Sequence, residues 1–197
     1  MKRVLLFILP ILIIVTAAFV VFGTLQVRSE EQKLMDELKR KAKAVAESID
    51  LSAKYILLHN DLKGAQALVE KFQTRERLQG CVLYDNNGQV FAITERFADW
   101  REKEKPYIRD ILAGKRPRGE LEKFKEYSVY AYALPIFDND DNILGIAEVI
   151  YDTSFVFATL TELWERINVT LIILVFCILI IAFFIQRQIF VLPVQQL

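Results

Sequence analysis

Two long apolar runs bracket the chain. Residues Val4–Val27 and Ile167–Ile185 contain no charge; the first exceeds, and the second just meets, the roughly 20 apolar residues a helix needs to cross a bilayer core. Between them the pattern changes period. From Arg28 to His59 there is neither proline nor glycine. Met35, Leu38, Ala42, Val45, Ile49, Ser52 and Ile56 recur there in alternating steps of three and four, with Lys39, Arg40, Lys43 and Glu47 on other faces. That spacing predicts a long helix with a heptad seam. The seam has two readings, pairing between protomers or packing on a sheet of its own domain, and different parts of the helix can do each. Asn60-Asp61 breaks this helix and caps a second one, carrying Leu62, Ala65, Leu68, Val69 and Phe72.

Alternation of period two follows. "GCVLYDNNGQVFAIT" (80–94) predicts two strands joined at Asn87-Gly88, residues that tolerate positive φ. Glu95–Lys105 is polar and irregular, and Pro106 opens a short helix that Gly114 and Pro117 end. Glu120–Phe124 reads as a short strand. "EYSVYAYALPIF" (126–137) is a longer one, with Tyr130, Tyr132, Leu134 and Ile136 on one face and Val129, Ala131, Ala133 and Pro135 on the other. "DNDDN" makes a turn and Ile143–Tyr151 returns. Asp152-Thr153 then caps a helix that runs through Leu160 and Leu163 into the second apolar run. The compact solution is an α+β domain of about 140 residues, a five-stranded antiparallel sheet with helices on one face.

Composition adds a membrane topology. At 53% hydrophobic, the 197 residues are too apolar for an ordinary soluble domain. All 25 acidic residues and all but three of the basic ones lie between Arg28 and Arg166; Lys2, Arg3 and Arg187 lie outside. Both ends therefore favour the cytoplasm and the middle the other side, with Trp164 as an interface anchor. The first run continues past Thr16-Ala17-Ala18, beyond the roughly 7–15 residues of a signal-peptide core, and so reads as a retained anchor. Thr24, Gln26, Asn168 and Thr170 lie near the outer ends of the runs, which leaves no transport path. Cys81 and Cys177 fall in different segments and predict no disulfide. No basic stripe points to nucleic acid.

Catalytic chemistry is not legible. There is one histidine, His59, beside a helix end, where a capping or surface role is expected. Metal-ligand spacing, a phosphate-cradling glycine loop and a Gly-x-Ser-x-Gly elbow are all missing. "DNDDN" (138–142) suggests calcium, but the twelfth position from Asp138 is Val149 rather than a bidentate glutamate. The expectation is a region without enzymatic activity and without a cofactor.

The segments "VLYDNNGQVFA" (82–92) and "YSVYAYALPIFDNDDNILGIAEVIYD" (127–152), in this order between two apolar runs, resemble the extracytoplasmic PAS-like sensors called single Cache domains. These occur in bacterial sensor histidine kinases and chemoreceptors. Asp85 and Gly88 match the Asp-x-x-Gly turn of the first hairpin, and Leu134-Pro135-Ile136 followed by Gly145 matches the last two strands. Pro193 and Leu197 look like the opening of a HAMP linker, with Leu192 where such linkers usually carry a basic residue. The resemblance implies a cytoplasmic start and first transmembrane helix over 1–27, a sensor domain over 28–166, a second transmembrane helix over 167–186 and a linker from 187 to 197. It implies a homodimer in the bacterial inner membrane, crossing the lipid bilayer twice.

The resemblance also implies a ligand pocket between the sheet and the loop–helix segment, and Trp100, Arg101, Tyr107, Tyr130 and Tyr132 are the candidate residues. Arg101 suits a carboxylate through paired hydrogen bonds, and the tyrosines offer both apolar face and hydroxyl. The ligand expected is a small carboxylate or amine. Asp152 binds an amine in some relatives, whereas helix capping is the simpler role here. The implied function is sensory input, passed through the second transmembrane helix to a cytoplasmic output domain outside these residues. The alternatives are an envelope scaffold without ligand sensing, or the sensory region of a membrane-tethered enzyme such as a cyclase or a trehalose-phosphate synthase-like glycosyltransferase.

Overall fold

The computed structural model describes residues 2–73, 78–102, 105–125 and 127–190. Pro193 and Leu197 of the expected linker lie outside the described residues. Along the chain come α1 (Lys2–Leu58), α2 (Leu62–Gln73), β1 (Leu78–Asp85), β2 (Val90–Ile93), a 3-10 segment (Glu95–Glu102) and α3 (Pro106–Gly114). Then follow β3 (Arg118–Phe124), β4 (Tyr127–Phe137), β5 (Ile143–Asp152) and α4 (Ser154–Phe190). They group into two units, one formed by Leu34–Phe155 and the other by Met1–Lys33 with Val156–Leu197.

In the first unit the strands form one antiparallel sheet in the order β2-β1-β5-β4-β3. The last strand in sequence is therefore the central one, flanked by β1 and β4. Both phases of β4 and β5 are apolar, so both faces of the sheet need cover. Tyr130, Tyr132, Ala147 and Val149 pack with α1 and α2 on one face. Val129, Ala131, Ile146 and Ile150 pack with the 3-10 segment and α3 on the other. Helices on one face alone were expected; the structure corrects this to helices on both.

The part of α1 in this unit lies on the sheet through Leu38, Ala42, Ala46, Ile49, Ala53 and Ile56, all buried. From Leu38 to Ile56 these positions advance 18 residues in five steps, or 3.6 per step, the period of a straight helix rather than of a coiled-coil seam. Ala46 and Ala53 are buried where the heptad pattern selects Val45 and Ser52, and Ser52 is exposed. Small side chains at Ala42, Ala46 and Ala53 let the helix axis come close to the strands.

Turn chemistry sets the strand ends. The Asp85 carboxylate accepts from the backbone N–H of Asn87 and Gln89 at 2.9 and 2.8 Å, and Gly88 takes φ +79°, a conformation glycine adopts without strain. In the β4–β5 turn, Asp138 accepts from the N–H of Asp140 and Asn142 at 2.7 and 2.8 Å and from the Asn142 amide at 3.0 Å. "DNDDN" is thus a turn that spends its first carboxylate on its own backbone. These hydrogen bonds, the Asn142 side chain's first, hold the Asp138 carboxyl below its ordinary value of 3.8. A lowered folded-state value contributes stability above the unfolded value, which is lost as pH falls through the folded one. Asp138→Ala is therefore expected to lower the melting temperature at neutral pH. The gap from the parent should narrow as melts are repeated below about pH 4, and a gap independent of pH would refute this account.

In the second unit the segments of α1 and α4 meet at Gly23, where an added Cβ would lie 3.1 Å from Cγ2 of Ile167. Ile13, Val21, Phe22, Ile172, Phe176 and Phe183 are all more than half exposed. Within Ile13–Leu58 and Ser154–Ile181 the helices are long and apolar enough to cross a membrane.

Candidate functional site

Alternation along the central strand sets Ile146, Glu148 and Ile150 on the face covered by the 3-10 segment and α3. Glu148 is fully buried in mid-sheet, paired in register with Val82 on β1 and Ala133 on β4. A carboxylate there demands partners. It has four. Oε2 accepts from Lys105 Nζ at 2.6 Å, from the Tyr84 hydroxyl at 2.7 Å and from Trp100 Nε1 at 3.2 Å, while Oε1 accepts from the Tyr107 hydroxyl. Each donor comes from a different element: Tyr84 from β1, Trp100 from the 3-10 segment, Tyr107 from α3 and Lys105 from the residue before it.

Lys105 precedes Pro106, so proline restricts it to extended backbone, and it has φ −121° and ψ 93°. Its side chain is only 4% exposed. The ammonium lies 3.8 Å from the Trp100 ring centroid, with the Tyr107 and Tyr84 centroids at 5.6 and 5.8 Å. Burial first, and then the Glu148 charge, push the Tyr84 and Tyr107 phenols well above their usual range. Both therefore remain neutral hydrogen-bond donors at physiological pH. The Cys81 thiol is pushed up to about 12, chiefly by burial, and so behaves as a small apolar group.

Beside this cluster is a cavity of about 560 Å³, lined among others by Tyr84, Gln89, Trp100, Arg101, Lys105 and Arg109. It opens between the β1–β2 turn, the 3-10 segment and α3. Among the described residues, none of those lining it is acidic.

The expected residues divide between the two faces. Trp100 and Arg101 line the cavity, and Tyr107 donates to Glu148 next to it. Tyr130 and Tyr132 belong to the core under α1 and α2. They share β4 with the cavity-side residues, but in the opposite phase, so the sheet separates them from the cavity. Asp152 accepts from the N–H of Ser154 at 2.7 Å and from the Gln79 amide at 3.3 Å, and so acts at the start of α4. His59 is exposed, with Nδ1 2.8 Å from the Tyr55 carbonyl oxygen. Sequence reasoning missed Glu148, Lys105, Tyr84 and Arg109. The usable signal was Glu148 itself, a charge in the inward phase of "ILGIAEVIYD" between Ile146 and Ile150.

No family model matches the chain, and no curated protein matches its sequence. Solved structures do match. The sensor domain of Escherichia coli DcuS superimposes with a TM-score of 0.52 at 20% identity, over 64% of this chain and 96% of that one. The sensor domain of the Vibrio cholerae histidine kinase DctB gives 0.57 at 18% identity, over 71% of this chain and 58% of that one. The sensory domain of the Campylobacter jejuni chemoreceptor Tlp3, with isoleucine bound, gives 0.53 at 13% identity, over 73% and 63%.

The fold is Cache/PAS-like, the one these sensor domains share. In this Cache/PAS-like fold the long N-terminal helix and α2 back one face of the sheet, and the cavity lies on the other. The chain spans about three-fifths of the DctB and Tlp3 structures it matches.

Proposed function

We propose that the chain is a transmembrane sensory input module, in which the domain over residues 28–166 detects a small extracytoplasmic ligand in the cavity beside Glu148. The module is a homodimer in a bacterial inner membrane, crossing it through the apolar parts of α1 and α4, and signals to a cytoplasmic output domain. The observation that carries this reading is a cavity of ligand size lined by the Arg101 guanidinium beside Trp100 and Tyr84. Its volume lies within the roughly 300–1,000 Å³ of small-molecule sites, and a guanidinium suits a carboxylate through two parallel hydrogen bonds. The ligand class is a small carboxylate. The Cache/PAS-like fold, shared with sensor domains of kinases and a chemoreceptor, supports the sensory role.

Ligand binding shifts the domain between two arrangements only by its differential affinity for them. The strand carrying Glu148 ends at Asp152 and α4 begins at Ser154, so one residue separates the site's central strand from the helix that carries the second span. Calorimetric titration of the full chain in lipid nanodiscs with a panel of small mono- and dicarboxylates tests the reading. Saturable binding of at least one is expected, weakened roughly tenfold or more by Arg101→Ala, since losing a hydrogen bond to a charged group costs about 1.5–3 kcal/mol. Binding by none of them, or binding that Arg101→Ala leaves unchanged, removes the proposal.

A further inference from the structure

We propose that Lys105 is the resident occupant of an ammonium-binding cage, and that by filling it the side chain bars amine ligands from the cavity. The inference deepens the reading of the cavity as a ligand site by assigning its selectivity.

An isolated buried ion pair needs one carboxylate opposite one ammonium. Here the shell around Nζ is more elaborate. One Glu148 oxygen lies at 2.6 Å and the face of Trp100 at 3.8 Å, with Tyr107 and Tyr84 further round. A carboxylate combined with aromatic faces is the chemistry that selects free ammonium ligands from water. The shell is also tied together independently of Lys105, because Tyr84, Trp100 and Tyr107 each donate to Glu148. Removing the lysine therefore leaves a cage with its hydrogen bonds in place and an unmatched negative charge at its centre. Tyr84, Trp100 and Lys105 all line the cavity, so cage and cavity share a wall.

Lys105 reaches the cage from the chain ahead of α3, whereas Glu148 and Tyr84 belong to the sheet. The occupant thus comes from the loop–helix segment that also supplies Trp100 and Tyr107, while the carboxylate it meets belongs to the sheet. Tethering gives the lysine an effective concentration on the order of millimolar or above. A free amine at lower concentration does not displace it. With the Glu148 charge matched from inside, Arg101 is left on the lining as the guanidinium for a carboxylate ligand. Lys105 is therefore a specificity-determining residue that leaves a carboxylate site where the cage alone would make an amine site.

The test is chemical rescue in the full chain, in detergent micelles. Trp100 and Trp164 are the chain's two tryptophans, so Trp164→Phe makes Trp100 the sole reporter. Lys105→Ala removes an n-propylammonium-sized fragment. In that variant, n-propylammonium at roughly tens of millimolar should raise the melting temperature saturably by about 3 °C or more and shift the Trp100 emission. The Lys105 parent should not respond, nor should the variant respond to n-propanol or propionate. Lys105→Met, whose stem fills the same space, should be equally silent. An equal response in parent and variant, or none in a Lys105→Ala protein that circular dichroism shows to be folded, overturns the proposal.

Should Lys105→Ala not fold, lysine acetylation of the parent read by mass spectrometry decides. Lys105 should react at least about tenfold more slowly than the exposed Lys39 and Lys125, and comparable rates overturn the assignment. Rescue without any carboxylate binding to the parent would remove the sensory reading and the carboxylate selectivity while leaving Lys105 as the occupant of the ammonium cage.

Discussion

Chemical denaturation of Glu148→Ala is expected to show the sheet domain destabilised by about 3–5 kcal/mol, the cost of breaking a buried ion pair from one side. That is a large part of the roughly 5–15 kcal/mol by which a domain is stable. The alanine leaves the Lys105 ammonium without its anion in a site where its side chain is 4% exposed, and it strands the donors of Tyr84, Trp100 and Tyr107. Lys105→Met is expected to be costly for the mirrored reason, a fully buried carboxylate without its cation. The two losses should not add. Glu148→Leu combined with Lys105→Met removes both charges and restores volume, and is expected to recover the part of the loss due to the unpaired charge, while the Tyr84, Trp100 and Tyr107 donors stay unmatched. Well-packed apolar replacements of buried ion pairs are commonly neutral or stabilising. A double variant as unstable as the sum of its singles would mean that packing, rather than charge, governs the site.

Ile49→Asp should come next in size, at about 3 kcal/mol or more. Ile49 is fully buried between α1 and the sheet, and the described core around it offers Leu38, Ala46, Ala53, Tyr130 and Val149 rather than a cation. An unpaired carboxylate there carries both a desolvation penalty and the loss of the buried side chain. Ser52→Ala is the control. Ser52 lies on the heptad seam of the sequence but on the exposed side of the helix, and its loss should change stability by no more than about 0.5 kcal/mol. The contrast reads out which face of α1 the sheet occupies. If Ser52→Ala costs as much as Ile49→Asp, the packing of α1 described above is wrong.

The face under α3 does two jobs. Phe97, Trp100 and Phe124 stack as an aromatic core, with ring centroids 4.5–5.6 Å apart. Beside them, Glu148 gathers donors from β1, the 3-10 segment, α3 and the residue before α3. A buried polar cluster of this kind is less forgiving than an apolar one, since each group removed leaves others unpaired. The selectivity proposed for Lys105 rests on the same few atoms as the cluster's stability.

Local pattern settled much of this protein. The apolar runs, the helix over 28–59, the Asn87-Gly88 and "DNDDN" turns, the proline-led α3 and the two phases of β4 all follow from periodicity and turn chemistry acting over a few residues. The turns, α3 and β4 appear within a residue or two of where the sequence puts them, while the first apolar run and the helix over 28–59 form one helix, Lys2–Leu58. Tertiary structure decided what lies across from what. Period two says that Tyr130 and Tyr132 share a face, yet not which face meets α1 and which meets the cavity. That choice came from the sheet order, which makes β5 central and leaves both of its sides covered. Glu148, Lys105, Tyr84, Trp100 and Tyr107 are scattered over 65 residues of chain, from Tyr84 to Glu148. Side-chain pairing at such separations is a property of three-dimensional packing. The sequence could show a charge out of place in an apolar strand, but only the fold could bring its cation to it.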